Sequence, residues 1–206
     1  MVSKSIRNLD LMKIFDAEER IVSYGCNQEW YRTFRQRQSG CGPAVASNIV
    51  FYLLRLGKKY KHKEQFVKLM ERIWEYVTPG SMGIPKARIL CRAMGKYMES
   101  QLLDFKGDWL DIPKTKERRP SVAAMVKFIE DAVAIDAPVA FLNLCNGKEY
   151  LLEAWHWVTI IAIEYAEDYQ QVEVSIMNNG TLKKIDLLLW YQSTRLGGGF
   201  VYFAKK

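Results

Sequence analysis

The chain has 206 residues, of which 49% are hydrophobic and 26% charged, with a formal net charge of +7. This balance excludes the disordered class and leaves enough apolar surface for one well-buried domain spanning 1–206. No uninterrupted apolar run reaches membrane-spanning length. The first twenty or so residues are broken by charge every few positions, so no signal-peptide core is read there and the expected location is the cytoplasm.

In chain order, the first strong helical pattern covers 43–57. Val45, Ile49, Tyr52, Leu53 and Leu56 recur at helical spacing, and Val50, Phe51 and Leu54 widen the apolar surface, so the helix is expected to be largely buried. Pro43 suits its first turn, where the missing N–H costs nothing, and Gly57 followed by lysines suits its end. A second helix is predicted over 63–77, with Phe66, Met70, Ile73, Trp74 and Val77 on one stripe before Pro79 and Gly80. A third is predicted over 86–99 and a fourth over 122–133, where Met125, Val126 and Ile129 repeat before Pro138. Residues 104–120 read as a loop.

From Pro138 onward the period changes. VAFLNLC, HWVTIIAIEY, VEVSIM and FVYFA are short β-branched or aromatic runs separated by polar turns, which predicts a sheet. Helices first and strands afterwards define an α+β domain, with a helical half over about 1–135 and a sheet half over about 136–206. Gly197, Gly198 and Gly199 lack the lysine and serine or threonine of a phosphate-cradling loop and read as a bend before the last strand.

The basic runs at 58–63 and 114–119 carry no interleaved recognition motif, so they read as solvated surface and no nucleic-acid partner is expected. Four cysteines, Cys26, Cys41, Cys91 and Cys145, are widely spaced without a CxxC pair, which indicates neither a zinc site nor a disulfide framework. No metal or cofactor is expected, and nothing in the sequence fixes an oligomeric state. Cys26, Cys91 and Cys145 read as small buried hydrophobes.

Cys41 differs. It stands between Gly40 and Gly42 at the opening of the buried helix, where partial positive charge and unpaired N–H groups favour a thiolate and an adjacent oxyanion. A thiolate of this kind needs a base, and the chain has only His62 and His156. His62 sits in a basic run, whereas His156 opens a strand between Trp155 and Trp157, so His156 is the expected base. Of the two tryptophans one is expected in the core, and the other could roof the Cys–His pair. Alternation along QVEVSIM turns Val172, Val174 and Ile176 inward, and the same period turns Asn178 inward to orient the histidine, with Asn179 in reserve if the strand turns early.

The string QSGCGPA, the buried helix after it, the later HWVTI strand and an Asn-Gly turn after the next strand resemble the papain-like C39 and C39-like peptidases. The resemblance implies a papain-like fold, with Cys41 as nucleophile and His156 as base. It also implies an upstream glutamine that lends its side-chain amide to the oxyanion hole. Gln36 is the expected counterpart, and Gln38 remains open because both would point alike in an extended segment. The third position is commonly aspartate in C39-like members and asparagine in papain, so Asn178 fits the latter pattern. The chain carries no transporter, so the resemblance gives no particular substrate beyond a peptide or protein. The same thioester chemistry would serve an acyltransferase or amidase, and a papain-like shell could also act as a non-enzymatic peptide-binding module.

Overall fold

The computed structural model describes residues 1–56 and 61–206. The expected helix end at Gly57 and the first part of the basic run at 58–63 lie outside the described residues.

The chain begins with a short strand β1 (Val2–Ser5) and a small hairpin of β2 (Lys13–Phe15) and β3 (Ile21–Tyr24). Helix α1 (Phe34–Ser39) leads directly into α2 (Cys41–Leu53), and α3 (Lys63–Trp74) and α4 (Ala87–Ser100) follow. Strand β4 (Phe105–Ile112) precedes α5 (Val122–Ala134). The remainder is β5 (Val139–Asn143), β6 (His156–Tyr165), β7 (Val172–Asn178), β8 (Thr181–Asp186), α6 (Leu187–Ser193) and β9 (Gly198–Lys205). The result is the expected α+β class in its papain-like form, with helices packed on an antiparallel sheet.

The large sheet has seven strands in the order β4-β9-β5-β6-β7-β8, with β1 joined to β6. One edge of β6 is shared along its length. Residues 156–160 pair with β5 and residues 162–165 pair with β1, while β7 takes the other edge. Strands β1 and β4 come from the first half of the chain, so the sheet is not confined to the second. The segment 104–120, read as a loop, contains β4, which pairs with β9 over its full length. Its charged and exposed residues hid it: β4 is an edge strand with one face turned to solvent, and it lacks a continuous apolar run. Strand β9 already includes Gly198 and Gly199, and the bend lies at Gly197, whose φ of 73° places it in the left-handed region.

Helix α2 is buried around its whole circumference, from Gly42 to Tyr52, because it lies between β6 on one side and α3 on the other. A helix apolar on all sides is stable only in such a position. Helix α4 covers β4 and β9, and α5 covers β1 and its neighbours. Beneath α6, Phe141, Trp190 and Phe200 form an edge-and-stack cluster with centroids 4.6 to 6.1 Å apart. Asp136, 5% exposed, ties the far end of α2 to the sheet: it accepts hydrogen bonds from Tyr52 Oη, Arg55 Nη2 and the Arg7 amide. Among the described residues no helix is long and apolar enough to cross a membrane.

Candidate active site

Cys41 is the first residue of α2, half-buried at the floor of a cleft. Its flanking glycines have separate steric reasons. A Cβ at Gly40 would lie 2.4 Å from the Gln36 carbonyl oxygen and 2.7 Å from the Tyr31 ring, so only glycine lets α1 turn straight into α2. A Cβ at Gly42 would press on Ile84 at 2.9 Å, so its absence admits the 80–84 loop and Trp157 against the first turn. Trp157 fastens that loop by donating from Nε1 to the Ile84 carbonyl at 2.9 Å.

His156 opens β6 and is 6% exposed. Its Nε2 meets Asn178 Oδ1 at 2.8 Å, which makes Nε2–H the donor and leaves Nδ1 free of that bond, while the Cys41 thiol acts on the same ring. Burial alone disfavours the charged ring. The hydrogen bond and charge of Cys41, the Asn178 bond and the Glu153 carboxylate outweigh burial and hold the His156 pKa above its ordinary 6.5.

Asn178 ends β7 with its side chain inward, 3% exposed, as the strand period requires. Asn179 and Gly180 follow with φ of 45° and 85°, the pair of positive values that a two-residue hairpin turn needs, and β8 begins with Thr181 opposite Asn178. Asn179 therefore serves the turn, and its carbonyl accepts a hydrogen bond from Asn27 Nδ2 at 3.0 Å. His62 is half-buried at the start of α3, where its Nδ1 contacts the Asp16 carbonyl at 3.1 Å, so it takes no part in this cluster.

Gln36 departs from its expected place. The segment before Cys41 is helical, so Gln36 and Gln38 do not share a direction. Gln36 is the third residue of α1 and closes a capping box with Thr33, while its Nε2 donates to Glu71 Oε2 at 2.7 Å. Those commitments turn it from the cleft. Gln38 is exposed and lines the cleft with Cys41.

The cleft has a volume of about 660 Å³. Arg35 and Gln38 edge it on one side, Met82 and Ile84 on a second, and Leu144 and Trp155 on a third. Trp157 is buried at 2% exposure, whereas Trp155 is 47% exposed with φ of 55°. A bulky residue in the left-handed region costs about 1 kcal/mol or more, and here it turns the indole to the cleft instead of the core.

Two features escaped the sequence reading. Glu153 accepts from Asn178 Nδ2 at 3.3 Å, and its place three residues before the base was the available signal. Cys145, read as a buried hydrophobe, is only half-buried. Backbone N–H groups of Arg195 and Gly147 surround its sulfur and hold its pKa below the ordinary thiol value. Burial raises the Cys26 thiol strongly and brings Cys91 to about 11, so those two behave as expected. Among the described residues no group of three or more His, Cys, Asp or Glu is arranged to hold a metal ion.

A helix bearing a cysteine at its N-terminus, packed on an antiparallel sheet, is the architecture of papain-like proteins. The chain is similar in structure to UfSP from C. elegans, a cysteine protease of the papain-like fold, with a TM-score of 0.52 and 12% sequence identity. The similarity covers 100% of this chain and 34% of that one, so the chain spans about a third of that neighbour's length. At this identity the likeness is one of fold. What the two share is the papain-like fold, and the likeness does not reach a family within it. No family model matches the chain, and no curated protein matches it.

Proposed function

We propose that the protein is a C39-like cysteine peptidase that cuts a peptide or amide bond through Cys41, His156 and Asn178. The observation that carries this reading is the buried His156 ring, bonded through Nε2 to Asn178 at 2.8 Å, with the Cys41 thiol acting on the same ring. The QSGCGPA segment at a helix start, the HWVTI strand and the Asn-Gly turn support the narrower family. A sheet built from strands near both ends, β1 and β9, supports reading 1–206 as one domain. Free thiols at all four cysteines suit a reducing compartment such as the cytoplasm.

In the proposed reaction the Cys41 thiolate attacks the carbonyl carbon and forms a C–S bond. The oxyanion develops beside the first turn of α2, where the Cys41 N–H stabilises it and Gln38 supplies the side-chain amide from the cleft rim. His156 Nδ1–H protonates the leaving amine as the C–N bond breaks, which leaves an acyl thioester. The neutral imidazole then takes a proton from water, the resulting hydroxide attacks the thioester, and carboxylate and thiol separate. Asn178 keeps the ring in the correct tautomer throughout.

The test is turnover of a mixed peptide library followed by mass spectrometry, with and without an added primary amine. Cleaved products with free carboxylates that vanish in Cys41→Ala support the peptidase. Transfer of the acyl group to the amine in preference to water would make the protein an acyltransferase instead.

A further inference from the structure

We propose that Glu153 is a positioning residue that fixes the Asn178 amide with its oxygen toward His156 and sets a carboxylate behind a triad whose third member is neutral. This inference rests on the proposed Cys41–His156–Asn178 site and adds a fourth residue to it.

A side-chain amide has two unlike ends, one that accepts and one that donates. Asn178 can present either Oδ1 or its NH₂ group to His156, and only Oδ1 can accept from Nε2–H. Something must distinguish the two orientations, and an ionised carboxylate does so because it accepts and never donates. Glu153 Oε1 lies 3.3 Å from Asn178 Nδ2, on the side of the amide opposite the 2.8 Å contact with His156. A flipped amide would put NH₂ against the ring N–H and oxygen against the carboxylate, two repulsions in place of two bonds.

The main chain at Glu153 is held from the buried side. Its carbonyl accepts from Asn143 Nδ2 at 2.7 Å, and Asn143, fully buried, is in turn oriented by Trp190 Nε1 at 2.8 Å. A buried chain therefore fixes the backbone of an otherwise exposed residue. The charged groups acting on the ring are the Cys41 sulfur from α2 and Glu153 from the segment before β6, while Asn178 from β7 is neutral. Glu153 thus contributes the negative charge that an aspartate at 178 would carry directly, at one residue's remove.

The experiment uses the full chain carrying Cys145→Ser, iodoacetamide as the probe of Cys41, and NMR titration of the two histidines, His62 and His156. Glu153→Ala is expected to slow Cys41 alkylation at about pH 6 by roughly tenfold, the worth of a hydrogen bond to a charged group, and to lower the His156 midpoint. Glu153→Gln restores an acceptor without charge, so it recovers part of the rate while the midpoint stays low. Asn178→Asp sets two carboxylates face to face when Glu153 is present, so it is expected to perform better with Glu153→Ala than without it. A structural role alone produces no such reversal. An unchanged midpoint and rate in Glu153→Ala, or an Asn178→Asp effect identical in both backgrounds, overturns the proposal and leaves the Cys–His pair standing. If Cys41 in the parent chain reacts no faster than a thiol of the unfolded chain, the pair itself fails, and the role of Glu153 with it.

Discussion

His156 Nε2 and Asn178 Oδ1 stand 2.8 Å apart, both residues buried, one at the start of β6 and the other at the end of β7. The hydrogen bond spans two neighbouring strands, so the sheet itself sets the ring's orientation. Asn178→Ala is expected to lower kcat on the order of tenfold to hundredfold with little change in KM, because it frees the ring without touching the cleft. Steady-state kinetics on a cleaved peptide checks this, and a loss confined to KM would argue against an orienting role.

The raised His156 pKa gives a pH prediction. Burial is the largest single influence and opposes the charge, but the Cys41 hydrogen bond and charge, the Asn178 bond and the Glu153 carboxylate together outweigh it. Removing the sulfur with Cys41→Ala takes away the leading influences that raise it and should therefore lower the His156 midpoint in an NMR titration. The stability that a raised folded pKa contributes is fully present below the ordinary 6.5 and is lost as the pH rises through the folded value. The stability difference between parent and Cys41→Ala should shrink across that interval, as measured by denaturant midpoints.

Cys145 should be the second thiol to react. Amide N–H groups of Arg195 and Gly147 stabilise its thiolate, whereas Cys26 and Cys91 are buried and raised. Mass mapping after brief iodoacetamide treatment of Cys41→Ala is expected to find label on Cys145 and none on Cys26 or Cys91. Loss of all label on adding Cys145→Ser completes the assignment, while label on Cys91 would contradict it.

Trp155 stands exposed on the cleft wall with a left-handed backbone. Trp155→Ala is expected to raise KM for a cleaved peptide about fivefold or more through lost aromatic contact, while alkylation of Cys41 by the small iodoacetamide is unchanged. Equal losses in both assays would mean that Trp155 supports His156 instead of substrate.

Asp136 joins the end of α2, through Tyr52 and the nearby Arg55, to the Arg7 amide just after β1. Burial opposes its charge, yet the hydrogen bonds from Tyr52 and Arg55 hold its pKa below 3.8. A lowered carboxylate contributes stability above its ordinary value and loses it as the pH falls through the folded one. Asp136→Asn is expected to cost about 2 kcal/mol near neutral pH, and less in acid, by urea unfolding.

Much of this arrangement was legible in residue patterns. The β-branched run HWVTIIAIEY became β6 with the same bounds, and the alternation through Ile176 carried Asn178 inward as expected. Elements that face water were harder to read. Strands β4 and β8 hold charged residues on exposed positions at the two edges of the sheet, where no apolar alternation marks them. Helix α1 is short and has no buried residue, so only its Thr33–Gln36 capping box announces it, and an extended reading of that stretch could not separate Gln36 from Gln38. Glu153 was missed for a different reason: its place three residues before His156 was a weak signal, because its contact with Asn178 joins residues 25 apart in the chain.

The most direct test of the Cys41–His156 pair is the second-order rate constant for iodoacetamide alkylation of Cys41 at about pH 6, in the Cys145→Ser chain with and without His156→Ala. A working pair predicts a rate on the order of a hundredfold above that of the urea-unfolded chain, falling at least tenfold when the histidine is removed. A rate equal to that of the unfolded chain, or one indifferent to His156→Ala, would contradict it.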